Sequence, residues 1–240
     1  TKNSFDALEK MMLELKNVEY EILRDKVVRN FSLNVKGGEV VTLFGPSGCG
    51  KTTILRLISG LNEPRKGKIF NNFKKTTYFF QENRLLTWKN ALENVLLVMD
   101  KPDVNAVLEL FKKVGLSQKD TLKYPSELSG GMRQRVAFVR AVVTKPDLLL
   151  MDEPFSGLDY DMKEILIEII GQRVSEGMSV VLVTHDRMEA VKMSNRIYFL
   201  SSKGAVIQRE LEIDKDFKER DFTFISKMID ENFKGQIYYD

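Results

Sequence analysis

The chain has 240 residues, of which 43% are apolar and 30% charged, a composition typical of a globular protein with a substantial core. Its formal net charge of +3 is too small to indicate nucleic-acid binding, and no apolar run approaches the roughly 18 residues of a membrane-spanning helix, so we expect a cytoplasmic protein with no nucleic-acid partner. Cys49 is the only cysteine, which excludes a disulfide within the chain.

The beginning of the chain predicts a layer of antiparallel strands. Residues 1–12 are polar, and this N-terminal extension has no assigned role. Short alternating apolar patterns then predict strands at 13–18, 27–28 and 31–35. A further apolar run at 40–44 predicts the strand that leads into the first functional motif.

A glycine-rich loop joins the strand at 40–44 to a helical pattern that begins at Ile54. It fits G-x-x-x-x-G-K-[ST], in which backbone N–H groups face phosphate oxygens and the helix N-terminus adds a favourable dipole. Lys51 is predicted to reach the β and γ phosphates, and Thr52 to bind Mg²⁺ through its hydroxyl. An ordinary tight turn before a helix is the alternative. The predicted nucleotide-binding residues are Gly45, Pro46, Ser47, Gly48, Cys49, Gly50, Lys51, Thr52 and Thr53.

The middle of the chain predicts a helical insertion. Residues 64–67 are predicted to form a turn, and a strand at 76–80 ends at Gln81. Apolar residues then recur at helical spacing without a β-rich stretch. We therefore expect a small helical subdomain, at about residues 83–133, inserted into an α/β core.

The second half of the chain alternates strands and helices. Continuous apolar runs predict buried strands at 148–151 and 180–183, with a helix between them. Closing strands are expected at 197–212. The predicted domain therefore covers residues 13–212, and residues 213–240 are predicted to form a short tail with one helix. This order predicts a mostly parallel sheet that binds ligands at the carboxyl ends of its strands.

Two carboxylates, Asp152 and Glu153, follow the buried strand at 148–151. Beside the phosphate loop, Asp152 is predicted to hold Mg²⁺ and Glu153 to act as the general base that polarises the attacking water. A solvated acidic loop is the alternative. The nearby phosphate-loop lysine favours the catalytic interpretation.

A second glycine-containing loop, at 128–135, leads into another helix. Its Ser129, Gly130 and Gly131 present a hydroxyl and free N–H groups that favour anions. One nucleotide needs only one phosphate loop. We therefore predict that this second loop reaches the nucleotide of another subunit.

Together, these motifs resemble those of the ATP-binding cassette (ABC) ATPases. The segments at 45–53, 128–135 and 149–154 are similar to the Walker A, signature and Walker B motifs of that family. Gln81, Asp159 and His185 resemble the Q-loop glutamine, the D-loop aspartate and the switch histidine. Six motifs in one order, over about residues 13–210, make a chance match not credible.

The resemblance implies a P-loop NTPase fold that hydrolyses ATP with Mg²⁺ in a head-to-tail dimer. The signature residues Ser129, Gly130 and Gly131 would contact the partner's γ phosphate, and Asp159 would cross the interface. Gln81 would sense the metal and the attacking water, so the implied metal site comprises Thr52, Gln81 and Asp152. The implied catalytic residues are Glu153, His185, Gln81 and Lys51.

Three residues carry weaker or competing interpretations. His185 is the only histidine in the chain, and a purely structural role is the alternative to contact with the γ phosphate. Tyr20 is the candidate for stacking on adenine, although it lies about two residues from the usual position and could be an ordinary strand residue. Alkylation of Cys49 is expected to block the phosphate loop, with protection by ATP.

The stretch at 81–95, together with Met132, resembles the importer ATPases for nitrate, sulfonates, taurine and thiamine precursors. In this group, that stretch forms a groove that receives a helix of an integral membrane permease, although Leu85, Leu86 and Trp88 could instead belong to the core of the helical subdomain. The resemblance implies an importer subunit on the inner face of the cell membrane, served indirectly by a solute-binding protein. The alternatives are the ATPase of a two-component exporter, a soluble ABC protein and a phosphate-loop kinase, which should lack the loop at 129–131.

Overall fold

The structure, a computed structural model, describes residues 12–233. The predicted N-terminal extension therefore lies outside the described residues except for Met12, as does the end of the predicted tail from residue 234. Within residues 12–233, no helix is both long enough and apolar enough to cross a membrane.

A three-stranded antiparallel sheet forms one layer, in the order β2-β1-β4. Its strands are β1 (Met12–Ile22), β2 (Asp25–Lys36) and β4 (Lys66–Asn71). The patterns at 27–28 and 31–35 thus belong to one strand, in which Asn30 takes a positive φ of 44°. The strand β4 was missed, and part of it was predicted as a turn, because none of its residues is buried and it shows no apolar alternation.

The central sheet has six strands in the order β5-β6-β7-β3-β8-β9. All neighbours are parallel except β8 and β9. The strands are β3 (Val40–Phe44), β5 (Thr76–Phe79), β6 (Leu148–Asp152), β7 (Ser179–Thr184), β8 (Arg196–Leu200) and β9 (Ile207–Glu212). Every residue of β3, β6 and β7 is buried, as expected of strands covered on both faces.

Seven α-helices cover the sheet or form the insertion in the described part of the chain. They are α1 (Lys51–Ile58), α2 (Ala91–Leu96), α3 (Val104–Lys113), α4 (Gly130–Val142), α5 (Tyr160–Ser175), α6 (Arg187–Met193) and α7 (Phe222–Asn232). The inserted helices α2 and α3 pack on α4 through one continuous apolar cluster that reaches the sheet. The predicted α/β class, with a mostly parallel sheet, an antiparallel β layer and a helical insertion, is confirmed.

The segment predicted as a short tail contributes to the core. Ile213, Ile225 and Phe233 are buried together with Phe44 and Phe199. The ring of Phe233 makes edge contacts with both of the other phenylalanine rings, at 5.0 Å between centroids. This packing holds α7 against the strands β3 and β8, whose carboxyl ends border the site.

Candidate nucleotide-binding site

The glycine-rich loop leaves the carboxyl end of β3 and enters α1 at Lys51. Gly48 and Gly50 take positive φ angles of 75° and 112°, a region that L side chains disfavour. At Gly50, a Cβ atom would also lie 2.7 Å from the carbonyl oxygen of Val27. Glycine is therefore required at residue 50 for both conformation and space.

Lys51 is held inside its own loop. Its Nζ donates hydrogen bonds to the carbonyl oxygens of Gly45 at 2.6 Å and Pro46 at 2.9 Å, and the residue is only 6% exposed. Carbonyl oxygens carry only a partial negative charge, so phosphate oxygens offer this ammonium group a stronger partner. The lysine is thus positioned to exchange or share these contacts with an anion in the loop.

A cleft of about 280 Å³ opens beside the loop. It brings Asp152 and Glu153 to the loop, as predicted from their position after a strand, and also Gln81, as the family resemblance implied. The lining residues are Val27, Ser47, Gly48, Gly50, Lys51, Thr52, Thr53, Gln81, Asp152, Glu153 and Val183.

Asp152 is the most buried acid of the cleft, at 2% exposure. Its Oδ1 accepts a hydrogen bond from the Thr52 hydroxyl at 3.1 Å and its Oδ2 accepts one from Tyr78 at 3.2 Å. Burial raises the pKa of Asp152, although these two hydrogen bonds and Lys51 oppose the shift. Burial and the neighbouring Asp152 also raise the pKa of the Tyr78 phenol. The role of Tyr78 was missed because a tyrosine within a strand carries no signal of its own.

The oxygen atoms of Thr52 and Asp152 fit a magnesium ion. Mg²⁺ prefers hard oxygen ligands and retains several waters or phosphate oxygens, so one carboxylate and one hydroxyl are an adequate protein contribution. Among the described residues, no group of three or more His, Cys, Asp or Glu side chains could hold a metal ion. A metal ion at this position would therefore take its remaining ligands from the nucleotide, water and the Gln81 amide.

Glu153 and His185 are in direct contact. The strands β6 and β7 are neighbours, so the residues that follow them meet at the same edge of the sheet. Oε2 of Glu153 lies 3.0 Å from Nδ1 of His185, whose side chain is 46% exposed. Glu153 takes a positive φ of 48°, and its N–H donates to Val183. This strained, anchored backbone directs the carboxylate into the cleft.

The second loop lies apart from this cleft. Ser129 caps α4 by accepting a hydrogen bond from the N–H of Met132 at 3.2 Å, and Gly130 begins the helix. Asp159 caps α5 by accepting from the N–H of Met162 at 2.9 Å. Ser129, Gly130, Gly131 and Asp159 are absent from the lining of the Lys51 cleft, and only Gly131 is partly shielded from solvent. These residues are thus available to a second molecule.

Five more predicted residues do not line the cleft: Tyr20, Gly45, Pro46, Cys49 and His185, although Gly45 and Pro46 contact Lys51 and His185 contacts Glu153. Tyr20 lies in β1 opposite Val28 and packs against the β-layer core, whereas Val27 of β2 lines the cleft. The Cys49 side chain is 1% exposed within that same core, and burial raises the pKa of its thiol. The expectation of a reactive thiol beside the nucleotide is therefore wrong, because the thiol is enclosed by the core.

The segment that follows Gln81 is held rigidly. Asn94 is buried in α2, where its side chain accepts from the N–H of Leu86 at 2.8 Å and donates to the carbonyl oxygens of Leu86 and Lys89. Arg140 of α4 donates to the carbonyl oxygens of Asn83 and Arg84. Trp88 projects from this scaffold and is 71% exposed, so the alternative of a core tryptophan is wrong. Leu85, in contrast, packs against the apolar cluster of the insertion, as that alternative predicted.

Gln134 connects the second loop to the catalytic strand. Its Nε2 donates to the carbonyl oxygens of Pro154 at 2.8 Å and Ser156 at 3.2 Å. Because Gln134 lies in the second turn of α4, the helix that Ser129 caps is tied to the segment after Glu153. This contact was missed, since the residues lie about 20 positions apart in the chain.

Comparison with known proteins finds relatives over most of the chain. The ABC transporter family matches residues 28–156. The aliphatic sulfonates import ATP-binding protein SsuB 1 of Shouchella clausii is 36% identical over 220 residues, which covers 90% of this chain and 87% of the relative. The protein of the same name from Rhodococcus jostii is 40% identical over 207 residues, which covers 84% and 83%. A dimeric structure of the ATP-binding cassette MJ0796 bound to ADP and phosphate has 30% identity and a TM-score of 0.75, and covers 85% of this chain and 99% of that one.

Proposed function

This chain belongs to the ABC transporter family and is an ATPase, and we propose that it drives import of an aliphatic sulfonate or a similar small solute through a separate membrane permease. One observation carries the proposal. The cleft is lined by Lys51 and by Glu153, which contacts His185, and the second glycine-containing loop at Ser129 does not line it. A site divided in this way can close only when two subunits meet, which couples ATP binding to a large movement.

Binding of the triphosphate begins at the phosphate loop. Backbone N–H groups of the loop and the first turn of α1 face the phosphates, and Lys51 transfers its hydrogen bonds to them. Magnesium, when bound, supplies positive charge that neutralises the β and γ phosphates, and its protein ligands would be Thr52 and Asp152 with Gln81 beside them. The adenine base of ATP would lie against the β layer near Val27, so Tyr20 is the less favoured candidate for stacking on it.

Hydrolysis depends on Glu153 and His185. The Glu153 carboxylate accepts the proton of the attacking water, and the His185 imidazole, 3.0 Å away, orients that carboxylate and reaches the γ phosphate. Gln81 also lines the cleft, and it precedes the inserted helices in the chain. A contact between the Gln81 amide and the attacking water would link chemistry to the movement of that insertion.

Two copies would close head to tail around two nucleotides. Each α4 N-terminus, with Ser129, Gly130 and Gly131, would contact the γ phosphate held by the other subunit, where the helix dipole favours negative charge. Asp159 would lie across the interface. ATP binding favours the closed dimer, hydrolysis removes the shared γ phosphate, and the dimer reopens.

The permease would dock on the segment that follows Gln81. Asn94 and Arg140 hold this segment rigid, and Trp88, Leu97 and Val98 present apolar surface there. A short amphipathic helix of the membrane subunit matches such a surface. This arrangement would place the ATPase on the cytoplasmic face of the membrane, and a solute-binding protein would act indirectly, through the permease.

The test is reconstitution with the permease that copurifies with the chain. In proteoliposomes, ATP-dependent uptake of an alkanesulfonate or taurine should exceed uptake of nitrate, and a solute-binding protein should stimulate it. Trp88→Ala should reduce copurification of the permease, whereas Leu61→Ala, which removes a similarly exposed apolar side chain, should not. ATP-dependent efflux without uptake would instead identify an exporter, and no associated permease would contradict a transport function.

A further inference from the structure

Three elements meet at a partly buried ion pair behind His185. Lys163 lies in α5, Glu189 lies in α6 and Thr184 is the last residue of β7. The Nζ of Lys163 is 3.0 Å from Oε1 of Glu189, and the Thr184 hydroxyl donates a 2.6 Å hydrogen bond to Oε2 of the same carboxylate. Thr184 is fully buried and Glu189 is 7% exposed. Water therefore cannot readily replace the hydrogen bond between Thr184 and Glu189.

The same contacts hold the backbone on both sides of His185. The Thr184 hydroxyl oxygen also accepts a hydrogen bond from the N–H of Asp186 at 3.0 Å. Asp186 in turn caps α6, since its Oδ1 accepts from the N–H groups of Met188 and Glu189. The residues before and after His185 are thus fixed to α6, while the imidazole projects to Glu153.

Charge makes this arrangement depend on Lys163. Burial raises the pKa of Glu189, and Lys163, which also lies 3.9 Å from Asp186, provides the compensating positive charge. Without Lys163, the buried carboxylate would be unpaired and would tend to take up a proton. A protonated Glu189 carboxyl would itself be a hydrogen-bond donor and would compete with the Thr184 hydroxyl that now donates to it. The hydrogen bonds that fix the backbone around His185 would then weaken.

Lys163 also belongs to the first turn of α5, whose N-terminal cap is Asp159. The backbone N–H of Lys163 donates to the carbonyl oxygen of Asp159 at 3.0 Å. A displacement of the loop at 156–159 therefore moves the backbone that carries the Lys163 side chain. The loop at 156–159 is thus linked to the residues on either side of His185 through the Lys163–Glu189 ion pair and the Thr184 hydroxyl.

We propose that Lys163, Glu189 and Thr184 are positioning residues that hold His185 against Glu153 and make its placement depend on the loop at 156–159. The proposal rests on the proposed role of His185 in hydrolysis. None of the three residues lines the nucleotide cleft, and their hydrogen bonds reach the site through Thr184 and Asp186, the residues on either side of His185.

The test compares Lys163→Met with a matched control in the same two helices. Lys192 of α6 pairs with Glu164 of α5, and its side chain is 22% exposed against 28% for Lys163. Lys163→Met should lower kcat by about tenfold with the KM for ATP changed by less than about twofold, because a displaced catalytic group costs rate more than binding. Lys163→Arg should restore most of the activity. Lys192→Met should leave kcat close to that of the unaltered protein.

A spectroscopic readout reports on His185 directly. The chain contains one histidine, so untagged protein labelled with ¹⁵N-histidine gives a single set of imidazole resonances. Lys163→Met should shift or broaden these resonances, whereas Lys192→Met should not. Unchanged resonances in Lys163→Met, or equal effects of the two variants on kcat, would overturn the proposal.

Two further comparisons keep the outcome interpretable. If Lys163→Met prevents folding, Lys163→Met combined with Glu189→Gln removes the link without an unpaired buried charge, and the same shift of the imidazole resonances is expected. Unchanged resonances in that folded double variant would likewise contradict the proposal. Failure of the unaltered protein to support uptake would instead count against the proposed transport function, since the resonances of His185 do not depend on a permease.

Discussion

The hydroxyl of Thr52 donates a 3.1 Å hydrogen bond to Oδ1 of Asp152, which joins the first turn of α1 to the end of β6. Burial raises the pKa of Asp152, so the ionised carboxylate is held at a cost to stability. Asp152→Asn should therefore increase the free energy of unfolding of the nucleotide-free protein by about 1 kcal/mol at neutral pH. It should also abolish Mg²⁺-dependent hydrolysis. Chemical denaturation together with ATPase assays measures both effects, and a loss of stability would contradict this account.

The raised pKa of Asp152 also makes the stability gained by Asp152→Asn depend on pH. An acid whose pKa is raised in the folded state contributes stability below its ordinary pKa, and that contribution is lost as the pH rises through the raised value. The advantage of Asp152→Asn should therefore shrink as the pH falls from neutral into the acidic range. Unfolding curves of both proteins across that range test the sign, and a growing advantage at acidic pH would contradict it.

Glu153→Gln should reduce turnover by about 100-fold or more, because an amide cannot accept the proton of the attacking water. Affinity for ATP should change little, since the phosphate loop and Lys51 are untouched. The variant should then accumulate an ATP-dependent dimer, measurable by size-exclusion chromatography with light scattering. Normal hydrolysis by Glu153→Gln would remove Glu153 from the catalytic role.

Gly50→Ala should destabilise the protein more than Gly60→Ala. Gly50 and Gly60 both take a positive φ, but a Cβ at Gly50 would lie 2.7 Å from the Val27 carbonyl oxygen, whereas one at Gly60 would meet no atom within 4 Å. We expect Gly60→Ala to cost about 1 kcal/mol and Gly50→Ala about 3 kcal/mol, with weakened ATP binding only in the latter. Equal losses would mean that the loop relaxes around the new atom.

The sequence predicted the site wherever the signal is local. The loop at 45–53 and the pair Asp152 and Glu153 adjoin strands whose apolar runs are unmistakable, and parallel strands bring their ends together. Contacts between distant segments were not predictable in this way. The Lys163–Glu189 pair spans 26 positions, and each residue taken alone has the pattern of an ordinary charged surface residue.

Cys49 shows how burial can reverse an expectation drawn from a motif. Its place in the phosphate loop suggested a thiol beside the nucleotide, but the side chain is 1% exposed and its pKa is raised by burial. Iodoacetamide should therefore label native protein at least roughly tenfold more slowly than unfolded protein, with little further protection by ATP. Mass spectrometry measures the modified fraction of this single cysteine, and rapid labelling that ATP prevents would restore the original expectation.

Ser129→Arg should prevent closure of the dimer while leaving ATP binding by the monomer intact. Ser129 is exposed at the N-terminus of α4 and does not line the Lys51 cleft, so a long cation there obstructs only a second subunit. Loss of the cap should cost about 1 kcal/mol of stability.

Ser175→Arg, at an exposed serine at the far end of α5, is the matched control. In the Glu153→Gln background, Ser129→Arg should abolish the ATP-dependent dimer and Ser175→Arg should retain it. A large loss of monomer affinity for ATP in Ser129→Arg would show that this loop binds the nucleotide of its own subunit, which would contradict the divided site.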